Sequence, residues 1–389
     1  MLSLSPTDAG ISLRGPMSLV FQRHYASEMG YHNGAYTDSS LPWSNTIGDG
    51  WTHNLNVHIQ TSELNRSGIP ETVELFDESG SARTYEYLRT EWGTDFYTRS
   101  AEGGTSEEGV TLYRMTASGK FTMKVPGETT YEFSAATTDS HRYARLENIT
   151  DASGNTISFA YDGAVGTGKL TKVTGPSGDV QHLRLSYSGN LITNVELKSN
   201  TTVLESVDYA YNASNELTKV TDDQNKHVTF AYASDASASG SRFITKITDK
   251  TGNDVNFTWT FAQNGDSEWE AYRIDLDNCQ GLRTRYDRNI SSSVVTVSNS
   301  VGGTTKSKYV YTPRSSYDPS RVKYEDFYHG NLTNYERWSY EYDTNYNLTK
   351  EKGPGATTLA TYSYTTMGRV STSTGMDGAT STFHFAASS

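Results

Sequence analysis

The stretch Leu146-Glu147-Asn148-Ile149-Thr150-Asp151-Ala152-Ser153-Gly154-Asn155-Thr156-Ile157-Ser158-Phe159-Ala160-Tyr161-Asp162 decides how this chain is read. It opens on an apolar-x-x-apolar-Thr segment and passes through a polar turn. It closes on alternating apolar residues at Ile157, Phe159 and Tyr161. Such alternation sends one set of side chains to each face of a strand. Asp bonds its own backbone in turns and Gly accepts positive φ, so Asp151 and Gly154 mark a reversal. The unit is a β-hairpin. The same grammar returns at 217–232, with Asp222 in the turn and Val228, Phe230 and Tyr232 alternating after it. It returns again at 244–259, and a degenerate copy runs from Leu170 to Asp179.

The connections repeat as well. Tyr161-Asp162 leads through Gly168 to Leu170, and Tyr187 leads to Leu191. Tyr211-Asn212 leads to Leu217, Tyr342-Asp343 to Leu348, and Tyr364 through Gly368 to Val370. The strand openers Leu146, Leu170, Leu191, Leu217 and Ile244 step by 24, 21, 26 and 27 residues. A drifting period in this range fits hairpins with variable loops, not a helical solenoid. Before the repeats, Asp77-Glu78-Ser79-Gly80, Ala117-Ser118-Gly119-Lys120 and Val125-Pro126-Gly127-Glu128 read as hairpin turns. Gly- and Ser-rich loops fall at 101–109 and 234–241. No amphipathic helix over ten residues is expected. The organisation is an opening segment over 1–60, hairpins over 61–145 and repeats over 146–389, as one continuous unit.

Composition agrees. Aliphatic residues are thin, and the 27 Tyr suit half-buried strands whose rings are covered while their hydroxyls reach a partner. The net charge of −12 argues against a duplex nucleic-acid binder, which needs clustered Lys and Arg. No apolar run approaches the ~20 residues of a membrane span, so membrane insertion is not expected. No charged segment followed by an apolar one opens the chain, so no leader is expected. Cys279 is the single cysteine, which excludes an intrachain disulfide, and it reads as a small core residue. Eight N-x-S/T sequons read as turn chemistry.

Little points to catalysis. Of nine histidines, His24, His32, His53 and His58 fall in the first sixty residues. His53 and His58, five apart, would face opposite ways on one strand and share no zinc. They read as surface or capped histidines. Glu107-Glu108 and Asp222-Asp223 read as solvated loop charge. No nucleophile elbow or phosphate loop occurs. No catalytic residue, metal site or cofactor is therefore expected. The aromatics Tyr335, Trp338, Tyr340 and Tyr342 read as an inward-facing ladder, with a sugar-binding face as the alternative.

The Tyr-Asp…Gly-x-Leu-x-x-Val-Thr-Asp-x-x-Gly-Asn grammar resembles the RHS or YD repeat. The segment Arg14 to Ser27, ending Arg23-His24-Tyr25-Ala26-Ser27, and the element Gly48-Asp49-Gly50-Trp51 resemble the opening of that family. The resemblance spans nearly the whole chain. It implies an all-β spiral in which hairpins join into one continuous antiparallel sheet curled as a shell. Such shells occur in bacterial polymorphic toxins, the C component of Tc toxins, wall-associated proteins and teneurins. The resemblance implies a non-enzymatic shell fragment, secreted or at the cell surface. Its partner would be a C-terminal effector domain, or the remainder of the shell. A surface adhesion module for glycan or protein is the alternative, and a carbohydrate-active enzyme a remote one. The family's self-cleaving Asp-Pro-x-Gly segment has no counterpart here. Asp318-Pro319 lacks the following Gly and reads as a turn.

Overall fold

A computed structural model describes the chain except residues 1–2, 5–6, 13–17, 27–45, 49, 63, 100–109, 128, 139–141, 235–241, 264–268, 289–293, 302–303, 316–317, 330–334, 346, 366–368 and 384–389. Gly368, His32, Glu107-Glu108 and most of the two Gly/Ser-rich loops lie outside the described residues. The described chain is strands and turns, with one turn of 3-10 helix at Pro354–Ala356. The all-β hairpin array expected from the repeats is what forms. It falls into two compact units. One holds Met1–Ala101, Ser106–Ala231 and Ser241–Phe243, and the other Glu102–Thr105, Tyr232–Gly240 and Ile244–Ser389.

In the first unit the strands from His58–Thr61 to Tyr143–Thr150 pair antiparallel, each with the next. The last of them also pairs with the first, Tyr143 opposite Gln60 and Arg145 opposite His58. Eight strands therefore form a closed ring. Ile59, Val73, Tyr85, Leu112, Phe121 and Phe133 are buried along it. Closure removes the sheet edges that an open hairpin run would expose.

The other end of Tyr143–Thr150 pairs with Thr156–Tyr161 and starts the repeats. These continue antiparallel through Leu170–Gly175, Gly178–Ser188, Leu191–Ser199, Thr202–Tyr211 and Leu217–Asp222. Phe159, Val173, Leu183 and Leu197 stand in one cross-strand row, all buried. Period-two alternation thus gives this sheet one strongly apolar face.

The opening segment covers that face. Strand Ser18–Ala26 pairs with Ser3–Leu4, Thr7–Ser12 and Trp51–His53. Its odd-numbered residues Phe21, Arg23 and Tyr25 are buried. Phe21 meets the edge of Tyr209 at 6.1 Å, and Trp51 meets Phe230 at 5.1 Å. The Arg23 guanidinium lies 5.0 Å from the Trp51 ring and 5.6 Å from Phe230. Buried aromatics remove on the order of 150–250 Å² each from water and dominate the energetics of such a contact. Ile192 N–H donates to Thr46 O at 2.8 Å, fixing the segment to the repeats by backbone. At Asn54 the side chain extends the ladder. Its Oδ1 accepts from Gln22 N at 2.9 Å, and its Nδ2 donates to Val20 O at 3.0 Å.

In the second unit the strands from Arg242–Thr248 to Thr380–Thr382 again pair in sequence. One face carries Trp259, Ile274, Tyr286 and Val297 in a row. The opposite face carries cross-strand ion pairs. Arg285 clamps Asp275 through two bonds of 2.6 and 2.8 Å, and Arg283 holds Asp277 at 2.7 and 2.9 Å.

Gly48 shows how closely the opening segment sits. Its φ is +93°, and a Cβ there would lie 2.5 Å from Asn215 O. Gly127 has a similar φ, +87°, with nothing within 4 Å of a built Cβ. Gly127→Ala bears only the backbone strain, on the order of 1 kcal/mol. Gly48→Ala adds a backbone clash. Thermal unfolding should therefore drop further for Gly48→Ala, and equal drops would show that the segment is not seated against 215–217.

Candidate functional site

The residues that define the repeat form a chain of side-chain ties. Tyr161 OH donates to Leu146 O at 2.8 Å, Tyr187 OH to Leu170 O at 2.7 Å, and Tyr211 OH to Ile192 O at 2.6 Å. In the second unit Tyr342 OH donates to Val322 O at 3.0 Å and Tyr364 OH to Leu348 O at 2.6 Å. Each tyrosine reaches back to a backbone carbonyl of the strand before its own.

A β-bulge explains the acceptors. The register shifts immediately before Tyr161, Tyr187, Tyr211, Tyr342 and Tyr364. A bulge interrupts the ladder and leaves a backbone group without its strand partner. The register shift at Tyr161 leaves Thr171 as the extra residue beside Leu170, whose carbonyl accepts from Tyr187. The bulge at Tyr187 lies opposite Ile192, whose carbonyl accepts from Tyr211. The bulge at Tyr342 lies opposite Leu348, served by Tyr364. Each repeat thus creates the acceptor that the next repeat satisfies. Burial raises the pKa of Tyr161 and Tyr187, so both remain neutral donors.

Two details add to the sequence reading. Leu191 opens strand Leu191–Ser199 and pairs with Ser188 across a tight turn, so the fully buried Ile192 stands opposite Tyr187. Trp259 also does a tyrosine's work, its indole N–H donating to Ile244 O at 2.7 Å. The alternation ending in Phe257-Thr258-Trp259 was the available signal, since Trp offers a donor at similar reach.

The turns share one geometry. At Asn65, Asp77, Asp151, Asn212, Asp222, Asp249, Asn278 and Asp343 the side-chain Oδ1 accepts N–H bonds from two and four residues on. The fourth turn position takes positive φ, 81° at Gly154 and 61° at Asn225. Hydrogen bonds from Thr251 and Asn253 hold the Asp249 pKa down to about 2. The longer Tyr161-Asp162 connection uses the same device, with Lys169 N–H donating to Asp162 Oδ1 at 2.7 Å. Gly168 is required there, since a Cβ would lie 2.5 Å from Gly163 O.

The histidine reading is corrected. His53 and His58 lie on different strands, Trp51–His53 and His58–Thr61, and both are buried. His53 stacks on Phe21 at 5.1 Å and stands opposite Arg23. Burial, with the nearby His24, lowers its pKa to about 3. His58 stacks on Phe76 at 4.5 Å and its Nδ1–H donates to Asn56 O at 2.8 Å. Burial lowers its pKa to about 4. A cavity of about 20 Å³, lined by Thr46, His53, Tyr143, Tyr161, Leu170 and Tyr187, lies where the opening segment meets the repeats. It has room for one water, not a substrate. Among the described residues no group of three His, Cys, Asp or Glu could hold a metal ion.

Cys279 is exposed rather than in the core, because it sits in the turn between Asn278 and Leu282. Asp318-Pro319 opens strand Asp318–His329 rather than forming a turn, a position where proline costs no ladder bond. Strand Tyr335–Tyr342 divides its aromatics. Trp338, Tyr340 and Tyr342 share a face, with Tyr340 OH donating to Glu325 Oε2 at 2.9 Å. Tyr335, an odd number of residues away, lies on the other face and is 47% exposed.

A family profile described as RHS Repeat matches residues 145–180, and one described as a domain of unknown function, DUF6531, matches residues 3–85. Residues 145–180 carry an RHS repeat, and this match supports an RHS/YD-repeat family protein. No curated protein matches it. Among solved structures, TcdB2-TccC3 is similar at 10% identity over 97% of this chain and 24% of that chain, with a TM-score of 0.28. The N-terminal domain of the effector protein SpvB from Salmonella typhimurium is similar at 12% identity over 92% of this chain and 99% of that domain, with a TM-score of 0.27. This chain therefore spans about a quarter of the length of the TccC3-containing chain.

Two expectations follow. Tyr211→Phe leaves the Ile192 carbonyl without its donor and should cost about 1–3 kcal/mol in denaturant unfolding. Tyr286→Phe, at a 42% exposed ring, should cost almost nothing. Equal effects would remove the tie from the account of stability. For pH, the unfolded histidines protonate near about 6.5, whereas folded His53 and His58 stay neutral down to about 3 and about 4. Their contribution to stability is complete above pH ~6.5 and is lost as the pH falls towards those folded values. The slope is up to about 1.4 kcal/mol per pH unit for each histidine. Unfolding midpoints taken between pH 7 and 5 should fall, and His58→Gln should flatten the decline. An unchanged slope in the variant would refute this origin.

Proposed function

We propose that this chain is a non-enzymatic scaffold, part of an RHS-repeat shell that encloses or presents an effector or toxin domain carried outside it. The observation that supports this reading is the serial tie itself. Each tyrosine satisfies a carbonyl left by the preceding bulge, so the sheet grows by adding hairpins rather than by closing around a substrate cleft. The buried carboxylates Asp95, Asp275 and Asp326 each hold an arginine of a neighbouring strand, which is not the convergent acid–base geometry that catalysis needs. The partner is that effector domain or the rest of the shell, and the setting is secreted or cell-surface. No helix among the described residues is long and apolar enough to cross a membrane. Within the scaffold, residues 1–60 act as the opening cap, 61–145 as the hairpins before the repeats, and 146–389 as the repeats.

Small-angle scattering combined with light scattering tests enclosure. A solid globule of 389 residues has a radius of gyration of about 21 Å. A monomer with a clearly larger radius and a hollow-particle distance distribution is expected. A monomer at about 21 Å with a solid distribution would overturn the shell reading.

A further inference from the structure

The face of the second unit that carries the ion pairs also carries an aromatic cluster with a fixed cation at its centre. Three cross-strand rows build it. Lys308, Tyr328 and Tyr335 are successive partners, as are Val310, Asp326 and Arg337, and Tyr324 faces Ser339. Asp326 is only 5% exposed, and its carboxylate takes Arg337 Nε at 2.6 Å and Nη2 at 2.7 Å. The guanidinium lies 4.6 Å from the Tyr324 ring and 5.1 Å from Tyr335. Tyr328 and Tyr335 are 5.1 Å apart at an interplanar angle of 38°. Lys308 Nζ sits 5.2 Å from the Tyr328 ring.

Arg283 and Arg285 are clamped by aspartates on the same face, but no aromatic ring lies over either among the described residues. Their geometry is explained by sheet pairing alone. At Arg337 the clamp uses two of five N–H donors. Three donors remain on a side chain that is 43% exposed and cannot swing away. Such a preset fork suits a carboxylate, which it can grip without losing further freedom. Lys308 adds a second cation, so the cluster carries local positive charge on a chain of net charge −12. The neighbouring acids Glu325 and Glu336 project to the opposite face by register, and Glu325 is engaged by Tyr340. Beside the cations, the exposed Tyr335 with Tyr328 offers ring surface that can pack on the C–H face of a sugar.

We propose that Tyr335, Tyr328, Arg337 and Lys308 form a binding platform for an acidic saccharide, a sugar ring carrying a carboxylate. The ring stacks on the tyrosines while the carboxylate meets the free edge of Arg337 and the Lys308 ammonium. The platform is independent of whether the chain encloses cargo.

The test uses the full chain on an array of uronic- and sialic-acid-terminated saccharides, each beside its neutral counterpart, with poly-glutamate as a competing peptide anion. Retention on at least one class of carboxylated sugar is expected, with neutral counterparts at least tenfold weaker. Tyr335→Ala removes an exposed ring and should weaken retention at least tenfold without changing the unfolding midpoint. Lys308→Gln should weaken it less and flatten its salt dependence. Absence of any carboxylated ligand, equal binding by Tyr335→Ala, or full displacement by poly-glutamate would each overturn the proposal.

Discussion

A tyrosine hydroxyl that must find a backbone acceptor on the preceding strand is the constraint on which the repeats depend. A buried hydroxyl without a partner costs about 1–3 kcal/mol, and so does a buried carbonyl. The bulge before Tyr161 leaves the Leu170 carbonyl off the ladder, and Tyr187 closes that debt of hydrogen bonding. Neither feature is favourable alone. A repeat with the bulge but no following tyrosine keeps an orphan acceptor, and a tyrosine with no preceding bulge keeps an orphan donor. The pair is coupled between repeats rather than within one. This explains why the tyrosine recurs while the loop after it varies from the tight turn at Gly189-Asn190 to the longer run 162–169.

The same sheet needs a cover. Alternation gives the repeats of the first unit a face of Phe159, Val173, Leu183 and Leu197, too apolar to leave in water. The opening segment supplies the cover from Phe21, Tyr25 and Trp51. It also buries Arg23 and His53 as direct cross-strand neighbours. A guanidinium can be held among the rings of Trp51, Tyr209 and Phe230 by their quadrupoles. His53 beside it is confined to its neutral form by burial, with the nearby His24 adding to the effect. The cover is therefore both aromatic and basic, and its stability is tied to proton concentration through that histidine.

Much of this was legible in the residues. Tyr161-Asp162 and its copies gave the hairpins, their turns and the all-β class, because period-two alternation and Asx turns are local signals. The closed ring was not legible, since nothing near His58 announces that it will pair with Arg145, almost ninety residues on. The histidines were misread for a related reason. His53 and His58 were placed on one strand, but Asn54 to Val57 turn the chain between two strands, and burial is imposed by Phe21 and Phe76 from elsewhere. Cys279 failed through composition, because cysteine is usually buried, whereas the Asn278 turn decides its exposure. In a strand one residue is a whole face, so Leu191 opens its strand half-buried while Ile192 beside it is fully buried.

That last point also governs the two faces of the second unit. The run Tyr335, Trp338, Tyr340 and Tyr342 reads as one aromatic ladder, yet the spacing from 335 to 338 is odd. Trp338, Tyr340 and Tyr342 therefore belong with the ladder that continues Trp259, Ile274 and Tyr286, where Tyr342 ties to Val322. Tyr335 instead joins Arg337, two residues on, and both face the ion pairs. The aromatic that breaks the alternation cannot serve the tie that Tyr342 serves. Its ring is free for another use because the register that orders the repeats excludes it from them.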